Sequence, residues 1–216
     1  MPQRLSVAAA FLVLCSAAGA TTFRFDTDPF AGTPVLNAPG RQIVGGEAFV
    51  NFSPATDVFS LESTVFGVGS SVNFVNGLVS NLPAGGVNVV VLETFDNDTN
   101  PLTPFGAGNA ADLIASRVTT PGPGFFIYFN QSLDLPRLVY STDLSSSNAD
   151  LRILARMLNL FGDEGRNTMP AFTAANFQIT TAAPEPSSRL MLIAVGLIGV
   201  SCYLRTRSQD DLRPRG

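Results

Sequence analysis

Asp150-Leu151-Arg152-Ile153-Leu154-Ala155-Arg156-Met157-Leu158-Asn159-Leu160 carries two periodicities at once, and the choice between them decides the fold. Leu151, Leu154, Ala155 and Leu158 stand at i, i+3, i+4 and i+7, one apolar stripe of a helix, with Asn148 available as its cap. Leu151, Ile153, Ala155 and Met157 alternate, the pattern of a strand with one buried face. The preceding Arg137–Thr142 contains Leu138-Val139-Tyr140 and reads as a strand. Without a neighbour it would leave an exposed edge, so the balance favours a second strand. The Asp-, Ser- and Asn-rich Thr142–Asp150 then becomes a hairpin loop.

Working outward, short strand-like segments alternate with breakers. Thr22–Asp26, Glu47–Phe52, Asp57–Leu61, Val87–Phe95 and Phe125–Asn130 are rich in Val and Phe, and Phe172–Thr180 could close a sheet. Pro121-Gly122-Pro123-Gly124 is a strong turn signal. Asn76-Gly77, between Val72–Val75 and Leu78-Val79, suits a type I′ hairpin turn. Such spacing predicts an all-β domain, a sandwich or jelly roll rather than a parallel α/β sheet. Phe is the recurrent inward candidate between two sheets. Ala110–Ala115 is a short helix candidate, and 150–160 is the other if its helical periodicity wins.

Composition narrows the chemistry. The chain has 216 residues, a net charge of −4, no His and no Trp. All of its basic residues are Arg. An acidic chain without a basic cluster is a poor partner for nucleic acid. Without His, a Ser-His-Asp triad is impossible and the commonest metal ligand is missing. Cys15 and Cys202 lie in the apolar runs at the two ends, so the stretch between them has no disulfide and no thiolate site. A glycosidase needs only two carboxylates, and Glu47, Glu62, Glu93 and Asp112 exist, but one sequence does not pair them. The expected function is therefore non-enzymatic, with no required cofactor.

Two loops deserve comparison with known sites. In Asp96-Asn97-Asp98-Thr99-Asn100, the oxygens of Asp96, Asp98 and Asn100 alternate as in calcium loops. Pro101 stands where an EF-hand needs Gly, and the twelfth position is not Glu, so a plain polar loop is the alternative. Gly67-Val68-Gly69-Ser70-Ser71 lacks the Lys of a phosphate loop and reads as a turn. Asp26-Thr27-Asp28 marks the end of a strand. Arg152 and Arg156 would share one face of either a helix or a strand, the one place that suggests contact with an acidic polysaccharide.

The two ends read as addresses. Arg4, the apolar run Leu5–Cys15 and Ala18-Gly19-Ala20 form a signal peptide, residues 1–20. Signal peptidase is then expected to cut between Ala20 and Thr21. An exported domain, 21–181, follows. Residues 182–216 begin with Pro184-Glu185-Pro186, continue in the apolar run Leu190–Leu204 and end in a basic tail, 205–216, led by Arg205 and Arg207. As a transmembrane helix the run reaches roughly 22 Å, short of the ~30 Å hydrocarbon core, which suits transient retention in the inner membrane; a plain single-pass anchor after a Pro-rich stalk is the alternative. Arginines beyond it place that end in the cytoplasm.

This tail resembles the PEP-CTERM sorting signal, also catalogued as an ice-binding-protein C-terminal domain. The resemblance implies export, membrane retention and processing by an exosortase, followed by delivery to the cell surface or extracellular matrix. It also implies a setting of exopolysaccharide and biofilm. The charged extension Ser208–Gly216 departs from the usual pattern. No regular Thr-x-Thr array supports ice binding. The interior segments Phe23–Pro29, Gly106–Ala115, Pro121–Asn130 and Arg137–Met157 resemble other exported proteins of this sorting class. A calcium-dependent carbohydrate-binding module is the alternative function.

Overall fold

A computed structural model describes residues 19–33, 40–100 and 102–181. The chain divides into two units at Thr180/Thr181, and every element below belongs to the first. The run expected to be a signal peptide and the whole 182–216 tail, including the expected helix 190–204, lie outside the described residues. No helix among the described residues is long and apolar enough to cross a membrane.

The strands are β1 (Thr22–Phe25), β2 (Ile43–Val44), β3 (Ala48–Val50), β4 (Val58–Glu62), β5 (Phe74–Gly77), β6 (Val89–Leu92), β7 (Gly124–Asn130), β8 (Leu135–Ser141), β9 (Leu151–Met157) and β10 (Phe177–Thr180). Short helices α1 (Ser63–Phe66), α2 (Ala107–Ala115) and α3 (Gly162–Asn167) join them. The domain is β-rich, as expected. Residues 151–157 form a strand, paired antiparallel with β8 through the expected loop. Ala110–Ala115 forms most of α2.

Two sheets share these strands. A small sheet has the order β1-β4-β10, and a large one runs β2-β9-β8-β7-β6-β5, with β3 also on β9. Their pairing corrects the sequence reading. β1, β10, β2 and β3 lie parallel to their partners, as do the β5–β6 and β6–β7 pairs. Only β7–β8 and β8–β9 are antiparallel. Asn76-Gly77 is not a hairpin turn. Both residues sit inside β5, in parallel register with Val91 and Leu92. The Asn76 amide instead donates to the carbonyls of Met169 and Phe172, at 3.0 Å each, and so is anchored by the chain far ahead.

The large sheet is a middle layer. Val89, Val91, Phe125, Ile127, Leu138 and Tyr140 face the small sheet, where they join Phe59, Leu61 and Phe177 in one buried cluster. Val90, Leu92, Phe126, Tyr128 and Val139 face the other way, onto Ala110, Ala111 and Ile114 of α2. Phe does fill the space between the sheets. Phe52 stacks on Phe59 with ring centroids 4.2 Å apart, and on Phe172 at 5.5 Å. Such pairs add to the area that they bury.

Candidate functional site

β9 has an irregular register. Leu138 pairs with Ala155 but Val139 pairs with Ile153, so Leu154 is an extra residue, a β-bulge. A bulge shifts the alternation of side chains by one. Arg152 therefore falls on the side of Tyr140, its cross-strand partner, toward the small sheet. Arg156 falls on the opposite side, with Arg137 and Tyr128. The expectation that Arg152 and Arg156 share a face is corrected: the bulge between them separates the two arginines into two environments.

The first environment is a row across four strands, Phe49–Arg156–Arg137–Tyr128, each residue registered against the next. Two arginines directly opposite each other repel. Glu47, just before β3, resolves this with one oxygen. Its Oε1 accepts from Arg137 Nη2 at 2.7 Å and from Arg156 Nη2 at 2.6 Å and Nε at 3.2 Å. Its Oε2 accepts from the Gly46 amide at 3.2 Å. The Glu47 side chain is 8% exposed. Burial pushes its carboxyl up, but its own backbone amide, Arg156 and Arg137 outweigh this and hold it below the usual carboxylate value. The Arg156 guanidinium also lies 5.1 Å from the ring centre of Phe49, which is exposed.

The second environment is a cavity of about 160 Å³ at the mouth between the sheets, where Thr27, Asp28, Gly46, Phe66, Arg152 and Leu154 form part of the wall. Arg152 has no ion pair or hydrogen bond to its side chain among the described residues. A Cβ on Gly46 would stand 3.2 Å from Arg152 Nη2, and Gly46 has φ +95°, so glycine gives both the turn and the room for the guanidinium. Asp28 Oδ1 accepts from the Phe30 amide at 2.9 Å. Tyr140, the cross-strand partner of Arg152, donates to the carbonyl of the wall residue Phe66 at 2.8 Å. Burial, with the Asp28 charge, pushes the Tyr140 hydroxyl up to about 12. The hydroxyl is thus a fixed donor rather than an acid.

The other sequence candidates are placed as follows. Asp96 Oδ1 accepts from the amides of Asp98 and Thr99, at 3.1 and 3.0 Å. Asp98 Oδ1 accepts from the Asn100 amide at 2.9 Å, and Asn100 Oδ1 from that of Leu102 at 3.1 Å. The three side chains thus cap their own loop, in which Thr99 has φ +58°. No group of three or more His, Cys, Asp or Glu among the described residues is arranged to hold a metal ion. Gly67 caps α1 in the left-handed region, as turn chemistry requires. Glu47 holds Arg137 and Arg156, Asp112 pairs with Arg41, and Glu62 accepts from Thr64 and Thr180. Ala20 and Thr21 are exposed just ahead of β1. Ala18, Pro184, Glu185, Pro186, Arg205 and Arg207 lie outside the described residues. The sequence alone missed the bridging role of Glu47 and the cavity around Arg152, because both depend on which strands become neighbours.

A family model described as the PEP-CTERM protein-sorting motif matches residues 182–207. No curated protein and no solved structure matches the chain.

Proposed function

From a chain that carries a PEP-CTERM protein-sorting motif, we propose an exported, non-enzymatic envelope or matrix protein whose β-rich domain associates with acidic exopolysaccharide. The motif carries this reading. It is the recognition signal of the exosortase system at the cell envelope, and implies export and transient membrane anchoring before processing. In the proposed route, signal peptidase cuts after Ala20, the 190–204 run holds the chain at the inner membrane, and an exosortase acts near Pro184-Glu185-Pro186. Deleting Pro184–Gly216 should release the domain into periplasm or medium. A truncated protein that fractionates like the full-length one defeats the sorting route.

The Arg152 cavity supports the ligand class. A guanidinium without a partner suits a carboxylate, and Thr27 and Asp28 can accept from sugar hydroxyls. At about 160 Å³ the cavity is smaller than the ~300–1,000 Å³ of drug-sized clefts, so it fits one sugar residue of a chain. A charge-assisted hydrogen bond contributes about 1.5–3 kcal/mol. Arg152→Ala should therefore weaken binding of polygalacturonate about tenfold or more, with no change for a neutral glucan. Equal binding by wild type and variant removes the acidic-polysaccharide assignment.

A further inference from the structure

Asp57 is a buried carboxylate without a cation. It is 6% exposed and makes no ion pair among the described residues. Its carboxylate is held only by neutral donors. Oδ1 accepts from the backbone amide of Thr21 at 2.9 Å and from the Thr56 hydroxyl at 3.1 Å, and Oδ2 accepts from the Ser53 amide at 2.9 Å. Burial alone would raise its pKa, but these donors hold it below the ordinary value, so the group is ionised at neutral pH. The carboxylate thus has hydrogen-bond donors but no counter-charge among the described residues, and a cation added there would turn a neutral contact into a charge-assisted one.

The donor on Oδ1 is the residue that the signal-peptidase reading makes the first of the mature chain. Hydrolysis of the Ala20–Thr21 bond adds water across it, leaving a carboxylate on Ala20 and an amine on Thr21 that takes a proton at neutral pH. We infer that cleavage of the leader installs the missing cation, turning the Thr21 amide contact into an ammonium–carboxylate pair with Asp57 that locks the mature domain. This rests on cleavage after Ala20. The remaining contacts hold Thr21 beside Asp57. The Val58 amide donates to the Thr21 carbonyl at 2.9 Å, and β1 lies in parallel register along β4 from Thr22 opposite Val58. The carbonyl of Asp57 accepts from Asn176 Nδ2 at 2.9 Å, which ties the same corner to the start of β10. The lock therefore joins the strands of the small sheet at one end. None of the groups touching the carboxylate is itself titratable between pH 4 and 9, so the pair titrates through its own two members.

The chain has no Lys, so the α-amino group is the only primary amine in the mature polypeptide. The exported protein is purified and its first residue read by intact mass. Its reaction with an N-hydroxysuccinimide acetate is then followed against pH, native and in urea. The unfolded amine should titrate near 7.7–8.0, and the native one about a unit higher, reacting about tenfold more slowly below that pH. Acetylation keeps one N–H but removes the charge. It should lower the thermal midpoint at pH 7 by about 2–4 °C for each kcal/mol of pairing lost, and should have no effect in Asp57→Asn. If that variant does not fold, the wild-type amine titration decides alone. A native amine with an ordinary pKa, or a midpoint unmoved by acetylation, overturns the lock while leaving the cleavage site intact. A mature chain that starts elsewhere than Thr21 overturns the cleavage reading and the lock with it.

Discussion

Phe52→Ala is expected to destabilise the domain by about 3–5 kcal/mol, a large part of the ~5–15 kcal/mol that holds a typical domain together. Phe52 has no exposed surface. Its ring lies flat between Phe59 and Phe172, with interplanar angles of 10° on both sides, and tilts against Phe23. The truncated site cannot close up by moving the backbone. The Phe52 amide donates to Asn159 Oδ1 at 2.7 Å, and Asn159 Nδ2 donates back to the Phe52 carbonyl at 3.0 Å. The stack therefore keeps its spacing and a cavity remains, which adds to the lost transfer energy. Urea unfolding of the protein measures this as a lower midpoint at unchanged slope. Leu102→Ala is the control. Leu102 is 86% exposed, so its loss should fall within about 0.5 kcal/mol of wild type. Equal stability of the Phe52 variant and wild type would mean that the two sheets do not pack through this stack.

The strands were readable because their composition is strong and local. Gly124–Asn130 follows its Pro-Gly signal, and Leu151–Met157 alternates cleanly up to the bulge. Their partners were not readable, because pairing is a long-range property. Asn76-Gly77 has a good local turn signal, yet the Asn76 side chain has better partners in the carbonyls of Met169 and Phe172. The parallel pairs left one trace. Val89–Leu92 and Gly124–Asn130 are buried at every residue, as strands of a sheet covered on both faces are. An unbroken apolar run in Val87–Phe95 is that trace. The antiparallel hairpin of β8 and β9 was legible because its connection is short. The faces of Arg152 and Arg156 were not, because one inserted residue, Leu154, reverses the alternation and only the register shows it. In the sequence Asp57 is only the first residue of a strand-like segment. Its meaning depends on Thr21, across 36 positions of chain.

Removing Glu47 should be the other large loss. Glu47→Ala leaves Arg137 and Arg156 opposite one another with nothing between them, the Arg137 side chain 14% and the Arg156 side chain 26% exposed. Breaking a buried pair by deleting one member costs about 3–5 kcal/mol. Partial exposure of Arg156 places this case at about 3 kcal/mol, because solvent screens part of the repulsion. The loss should be strongest where β3 meets β9, since Glu47 anchors β3 to the edge of the large sheet through these arginines. Hydrogen exchange should show Ala48–Val50 opening before the β7–β8 pair. The same group sets a pH dependence. Its folded pKa lies below the ordinary carboxylate value, so its contribution is complete above that ordinary value and disappears as pH falls through the depressed one. Wild type should therefore lose stability on acidification over this range more steeply than Glu47→Gln, in which that position no longer titrates. Arg137→Met combined with Glu47→Met tests the cause directly. Replacing a buried pair with apolar side chains of similar length is often neutral, and with Arg156 free to turn toward solvent beside Phe49, the double variant should recover much of what Glu47→Ala loses. If the double variant is as unstable as Glu47→Ala, the cost lies in lost packing at the β3 edge rather than in two unbridged guanidinium charges.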